Sequence, residues 1–192
     1  MRINHQFLDN DFFFPNWEID TLVLGTFNPE CGEKTDYFYG RSKNRFWRAI
    51  EVITGNENYY FLNSLIRKKK IMIEKKFGCI DIVKFIEIDK TYKDKICGNG
   101  YSDSALFTLK NVNANYQFDD IKNYSVEKKV KKIIYTWGKR NSPNIFKSQI
   151  EDLKAFCRIH KIEFINNCPS PSPRSRNNID IIVAFYNQHI LN

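Results

Sequence analysis

The sequence predicts an α/β fold, a three-layer α/β/α sandwich built on a short, mainly parallel central sheet. Three observations predict it. Short aliphatic and β-branched runs end in glycine or in polar loops, helical periodicity fills the stretches between them, and the order strand, helix, strand, helix recurs along 192 residues. Strands joined in this way lie parallel, and such sheets bind ligands outside the carboxyl ends of their strands. One domain over residues 1–192 is expected, because hydrophobic residues make up 42% of the chain and no linker, repeat or composition break divides it.

The first strand is the buried-looking run Asp20 to Leu24 (DTLVL), closed by Gly25, which delivers the loop GTFNPECGEKTDYFYGRSK at its carboxyl end. Asn44 then stands at the start of a helix, since Phe46, Trp47, Ile50 and Ile53 fall at helical spacing before Gly55. A second helix covers Leu62 to Lys76, with a basic run at Arg67 to Lys70, and leads to a strand at residues 79–83 (CIDIV). Residues 90–125 are polar and Asn-rich, with turn signals at Gly98-Asn99-Gly100; they read as a surface excursion with a helix near Ser104 to Leu109. Lys132 to Trp137, closed by Gly138, is the third strand, Pro143 to His160 an amphipathic helix, and Ile162 to Asn166 the fourth strand.

The bulk properties narrow the function. Thirty Lys and Arg against 22 Asp and Glu leave a formal charge of +8, which favours a polyanionic partner such as nucleic acid. Five cysteines, odd in number and without a CxxC pair, and only three histidines predict neither a zinc site nor a disulfide framework, and no cofactor is expected. There is no run of 18 apolar residues and no basic segment followed by an apolar one at the N-terminus, so a cytosolic monomer without a membrane span is expected.

Two loops carry unusual chemistry. The first holds Asn28, Pro29 and Glu30 directly after a strand, then Tyr37, Phe38 and Tyr39, then NRFW at 44–47. The second is NCPSPSPRSR, residues 167–176, in which three prolines alternate with serines. Proline lacks an amide hydrogen and fixes φ, so this loop is stiff. Hydroxyls of Ser170 and Ser172, backbone amides and the neighbouring Arg174 and Arg176 suit a grip on phosphates that selects no sequence.

GTFNPE followed by YFYGRSKNRFW resembles the first signature of the uracil-DNA glycosylase superfamily, in the form it takes in the mismatch-specific thymine and hypoxanthine-DNA glycosylase branches. PSPSPRSR is similar to the family's C-terminal Pro-Ser loop, FGCIDIV to the strand that lines its base pocket, and GYSDSALFTLKNVNANYQFDDI to its Ser-x-Asp-Ser helix and Asn-containing turn. The motifs run in family order from residue 20 to residue 190. The resemblance implies a monofunctional DNA glycosylase that flips a damaged, deaminated, mismatched or modified base out of DNA and hydrolyses its N-glycosidic bond, leaving an abasic site. Such chemistry needs a positioned water at the sugar and donors to the departing base.

By that resemblance, Asn28 or Asn44 positions the water, with Glu30 as a further carboxylate, and Phe27 and Tyr39 lie against the flipped base. The family's water-holding Asp or Asn comes two residues after the glycine; here Phe27 takes that place and Asn28 comes third. Asn44 suits a helix N-cap equally well. Asp81 matches a pocket residue, and because a carboxylate only accepts hydrogen bonds, it would favour a base presenting an N–H. Arg174 falls where the thymine branch fills the gap left by the extruded nucleotide, while Arg176 and Arg41 would meet phosphates. Cys168 stands where many members have a histidine that donates to the base, which implies a slower enzyme relying on backbone amides. Two other readings use the same residues: a non-catalytic reader of unusual bases, and a hydrolase of free nucleosides or nucleotides.

Overall fold

The structure is a computed structural model that describes residues 1–98, 101–109, 111–137 and 147–191. In chain order its elements are β1 (Arg2–Asn4), β2 (Thr21–Gly25), α1 (Arg45–Ile53), α2 (Leu65–Glu74), β3 (Phe77–Asp81), β4 (Val83–Glu87), α3 (Lys93–Ile96) and α4 (Ala105–Thr108). They continue with β5 (Asn113–Tyr116), α5 (Phe118–Glu127), β6 (Lys132–Tyr135), α6 (Lys147–Ile159), β7 (Glu163–Ile165) and α7 (Ile179–Tyr186), which runs on as a π-helical turn over Asn187–Leu191.

Four strands form a parallel sheet in the order β3-β2-β6-β7. Every residue of β2 and β3 is buried, as strands covered on both faces must be, and this explains why both read as continuous apolar runs. Parallel crossovers are right-handed. The path from β2 to β3 and the path from β6 to β7 move outward in opposite directions, so their helices fall on opposite faces. Thus α1 packs with α7 in one layer and α5 with α6 in the other. The predicted three-layer α/β/α sandwich is the observed one. Reversal of direction beside β2 makes a switch point there, and the carboxyl ends of β2, β3 and β6 open on it.

Several elements differ from expectation. The strand expected at residues 79–83 is two: β3 ends at Asp81, and β4 leaves to join a separate antiparallel sheet of order β1-β4-β5. Residues 90–125, expected as a surface excursion, supply β5 and the start of α5 as well as the expected short helix α4. Phe12, Phe13 and Trp17 of the N-terminal segment belong to the core. The second helix is shorter at both ends than Leu62 to Lys76. Gly138, the turn residues Asn99 and Gly100, and Pro143 at the start of the predicted helix lie outside the described residues.

The cysteines bring a correction. Cys31 and Cys97 are joined by a disulfide across a separation of 66 residues, with their Cα atoms 4.8 Å apart. This bond fastens the loop after β2 to the end of α3, where the Gly98 amide also donates to the Cys31 carbonyl at 2.8 Å. An odd cysteine count hid the pair because Cys79, Cys157 and Cys168 are buried as free thiols.

Candidate active site

Strand pairing sets Asp81 directly beside Gly25, at the carboxyl ends of adjacent strands. A side chain on Gly25 would overlap Asp81 Oδ1 and crowd the Tyr39 hydroxyl, so the glycine is what lets these groups converge over the strand end. Asp81 is 3% exposed. Its Oδ2 accepts from Asn28 Nδ2 at 2.9 Å and from His5 Nε2 at 2.9 Å. The Phe7 amide donates to His5 Nδ1 at 3.0 Å, which leaves Nε2 as the nitrogen that carries the proton given to Asp81. The His5 ring is held by Phe7, Phe13, Phe27 and Phe38, with centroids 5.0–5.8 Å away.

This chain fixes Asn28. A carboxylate only accepts, so the Asn28 nitrogen faces Asp81 and its Oδ1 points away, able to accept a hydrogen bond from water. Two donors on Oδ2 and the close packing of Oδ1 over Gly25 commit Asp81 to holding Asn28, where the resemblance had it reading the edge of a base.

Asn44 and Glu30 do not join this group. Asn44 is the N-cap of α1, its side chain accepting from the Phe46 amide at 2.9 Å. The Glu30 carboxylate is exposed and accepts from the Asn4 amide at 3.0 Å, which ties the loop to β1. Of the two residues expected against a base, Phe27 is 3% exposed and meets Tyr101 edge-on at 6.2 Å. Tyr39, at φ 57°, stacks on Phe46 at 4.6 Å and shares a hydrogen bond with Thr136 Oγ1 at 3.3 Å. Burial pushes its phenol well above the ordinary tyrosine range.

In the second loop the serines fold the backbone. Ser170 Oγ accepts from the Ser172 amide and Ser172 Oγ from the Arg174 amide, each at 3.3 Å; these are local serine turns. Arg174 and Arg176 are exposed. Cys168 faces the core beside Tyr186, and burial pushes its thiol up to about 12, so it stays protonated. Arg45 was overlooked in the sequence. Its guanidinium donates to the carbonyls of Ser172 at 2.9 Å, Ser175 at 2.7 Å and Asn177, and its amide donates to the Pro171 carbonyl at 2.9 Å. One arginine thereby joins the start of α1 to the Pro-Ser loop.

Arg41 turns inward. Its Nη1 donates to the Tyr101 carbonyl at 3.2 Å, and its guanidinium lies 5.3 Å from the Tyr101 ring centre. Beside it is Asp103, the aspartate of the Ser-Asp-Ser segment that the resemblance picks out without giving it a role. The Asp103 carboxyl is raised to about 6 by burial first and by the Asp81 charge second, against the opposing pull of Tyr101, Thr26 and Arg41. The Tyr101 hydroxyl is buried, and its hydrogen bond to the Asp103 carboxyl opposes that rise. His5 was unmarked in the sequence; its signal would have been a pairing with Asp81 across 76 residues.

A cavity of about 180 Å³ opens along the first loop, lined by Tyr39, Arg41, Lys43, Asn44, Arg48 and Lys68 among others. A larger one of about 460 Å³, lined by Ile53, Tyr60, Arg67 and Lys70, contains none of the expected site residues. Among the described residues no group of three or more His, Cys, Asp or Glu is placed to hold a metal ion, and no helix is long and apolar enough to cross a membrane. No family model and no curated protein matches the chain.

Proposed function

We propose that the protein is a monofunctional DNA glycosylase of the uracil-DNA glycosylase superfamily, hydrolysing the N-glycosidic bond of a flipped base. The observation that supports this most is the His5–Asp81–Asn28 chain at the carboxyl ends of β2 and β3. An amide oxygen held in one orientation can hold a water under a sugar carbon as the base departs and positive charge grows there. Asn28 is therefore the water-positioning residue, and Asn44 caps α1.

The second loop supports a polymer as substrate. Proline and Arg45 hold its shape, and Arg174 and Arg176 stand exposed on it, with a net charge of +8 behind them. A free nucleoside would need neither the exposed arginines nor the charge. A cytosolic monomer acting on DNA belongs to the same reading.

The test is release of base from duplexes carrying uracil, hypoxanthine, xanthine, a thymine mismatch or a modified cytosine, with abasic sites cut by alkali. Excision from at least one duplex is expected, and Asn28→Ala should slow it by about 100-fold or more, as loss of one catalytic positioning group does. Tight, salt-dependent DNA binding with no excision from any duplex would leave a reader of unusual bases instead.

A further inference from the structure

We propose that the cavity of about 180 Å³ along the first loop is a binding site for a phosphoryl group. Neither Asn28 nor Asp81 lines it, and binding there requires no excision, so the site stands whether or not the glycosylase reading does.

Five cationic side chains line the cavity, Arg41, Lys43, Arg45, Arg48 and Lys68, and Glu51 is its one carboxylate among the described residues. The charges do not cancel. Glu51 is spent on Arg48, whose Nη1 donates to Oε2 at 3.0 Å, and on the amides of Tyr59 and Phe61, each at 3.1 Å. Asp36 pairs with Lys68 from outside the lining. Even with Asp103 counted against Arg41, two cations are left over. The Arg45 guanidinium donates to carbonyls, which carry no net charge, and Lys43 is exposed and joins no ion pair among the described residues.

Hydrogen-bond donors accompany the charge. Arg41 Nε is buried without a partner, and a buried donor in that state calls for an acceptor in the space it faces. The nine-residue helix α1 begins at the cavity, where Asn44 and Arg45 line it, and brings the positive end of its dipole. At the inner wall Lys68 is 0% exposed, so part of this charge stands out of bulk water, where an anion is held more strongly than on an open surface.

Size and charge together select the ligand. Pockets for whole small molecules measure about 300–1,000 Å³, so 180 Å³ takes one compact anion and not a nucleoside. A phosphoryl group carries close to two negative charges at neutral pH and three strong acceptor oxygens, which matches two uncancelled cations and donors on several sides. A carboxylate would bring half the charge. Inorganic phosphate, the terminal phosphate of a nucleic-acid strand and a backbone phosphate share this chemistry.

The experiment is calorimetric titration of inorganic phosphate into the protein at pH 7.5, with ionic strength held constant by chloride. One phosphate should bind per chain, and Lys43→Glu should weaken it about 10-fold, the scale of reversing one charge near an anion. Lys70→Glu makes the same change of charge at the larger cavity and should bind phosphate as the wild type does. Both lysines are exposed, so neither exchange disturbs the core. Competition then separates the sources. Phosphate that displaces a 5′-phosphorylated oligonucleotide but not its 5′-hydroxyl counterpart assigns the site to strand ends; displacement of both assigns it to backbone phosphates, and of neither to the free anion. No binding of phosphate beyond that of chloride overturns the proposal. Binding by Lys43→Glu at wild-type strength overturns it as well, as does an equal loss in Lys70→Glu, which would mark a diffuse response to net charge.

Discussion

At the scale of single residues, the site is built from side chains whose hydrogen bonds leave one useful atom over. Asn28 spends its nitrogen on Asp81 and keeps its oxygen; Asp81 spends itself on holding Asn28. Asp103 is the group left in an uncomfortable state, and this has a thermodynamic signature. Its carboxyl is raised to about 6 in the folded protein from the ordinary value of 3.8, so the folded state binds the proton more tightly than the unfolded chain. The sign follows: Asp103 costs no stability below about pH 4, and its cost appears as pH rises from 4 through 6 and is complete above that. Asp103→Asn, always neutral, should therefore be more stable than wild type at pH 7.5 by roughly 1–2 kcal/mol, allowing for the residue's partial exposure. That advantage should fade on acidification to pH 4, as read from urea midpoints at each pH. An equal midpoint at pH 7.5 would mean the carboxyl is not destabilised. Asn28 and Asp81 were legible in the sequence because one lies in the loop a buried strand delivers and the other in an apolar strand run, both within motifs of the resemblance. Asp103 stood there only as part of a motif, and His5 lies in an irregular segment where only the folded contacts give it meaning.

At the scale of elements, legibility followed burial. The strands of the parallel sheet, buried on both faces, read as apolar runs and were located within a few residues. The antiparallel sheet escaped because β1 is three residues long and β5 is the polar run NANY with alternating exposure. Helix α1 was found with its cap, since Asn44 followed by apolar residues at helical spacing is a local signal. What no local signal could supply is how the loops are joined. Arg45 and the Cys31–Cys97 bond do this, both by contacts far apart in sequence. The disulfide closes a loop of 66 residues, for which a chain-entropy argument gives about 4 kcal/mol as an upper figure and native bonds usually realise about 2–4 kcal/mol. Replacing both cysteines by serine should lower the urea midpoint by a corresponding amount. It should also slow excision several-fold, because the Tyr101 segment loses one of its ties to the Asn28 loop. Unchanged excision in that variant would show that Arg41 and Phe27 suffice to hold the segment.

For the whole molecule, the distribution of charge gives the sheet's two ends different tasks. Ion pairs quiet the amino end: Lys76 meets Glu18 at 2.9 Å and Lys131 meets Asp20 at 3.1 Å, beside the starts of β2 and β6. Along the α5–α6 layer, Lys122 meets Asp119 and Asp152. The opposite end carries Lys43, Arg174 and Arg176 exposed on the two loops that flank the site, while Arg41 is turned inward to Tyr101. On the glycosylase reading, the exposed Lys43, Arg174 and Arg176 would draw DNA toward the end where Asn28 stands, before any base is flipped. Engagement of roughly three phosphates by these loops would make log affinity fall with log salt at a slope near −2.7, so binding should weaken about 40-fold between 50 and 200 mM salt. Arg174→Ala and Arg176→Ala should each reduce that slope by about one if the residue sits on a phosphate, whereas a wedge in the helix would weaken binding and leave the slope almost unchanged. Fluorescence anisotropy with an undamaged duplex across a salt series separates the two for each arginine, and a slope near zero in the wild type would detach the charge of this face from DNA altogether.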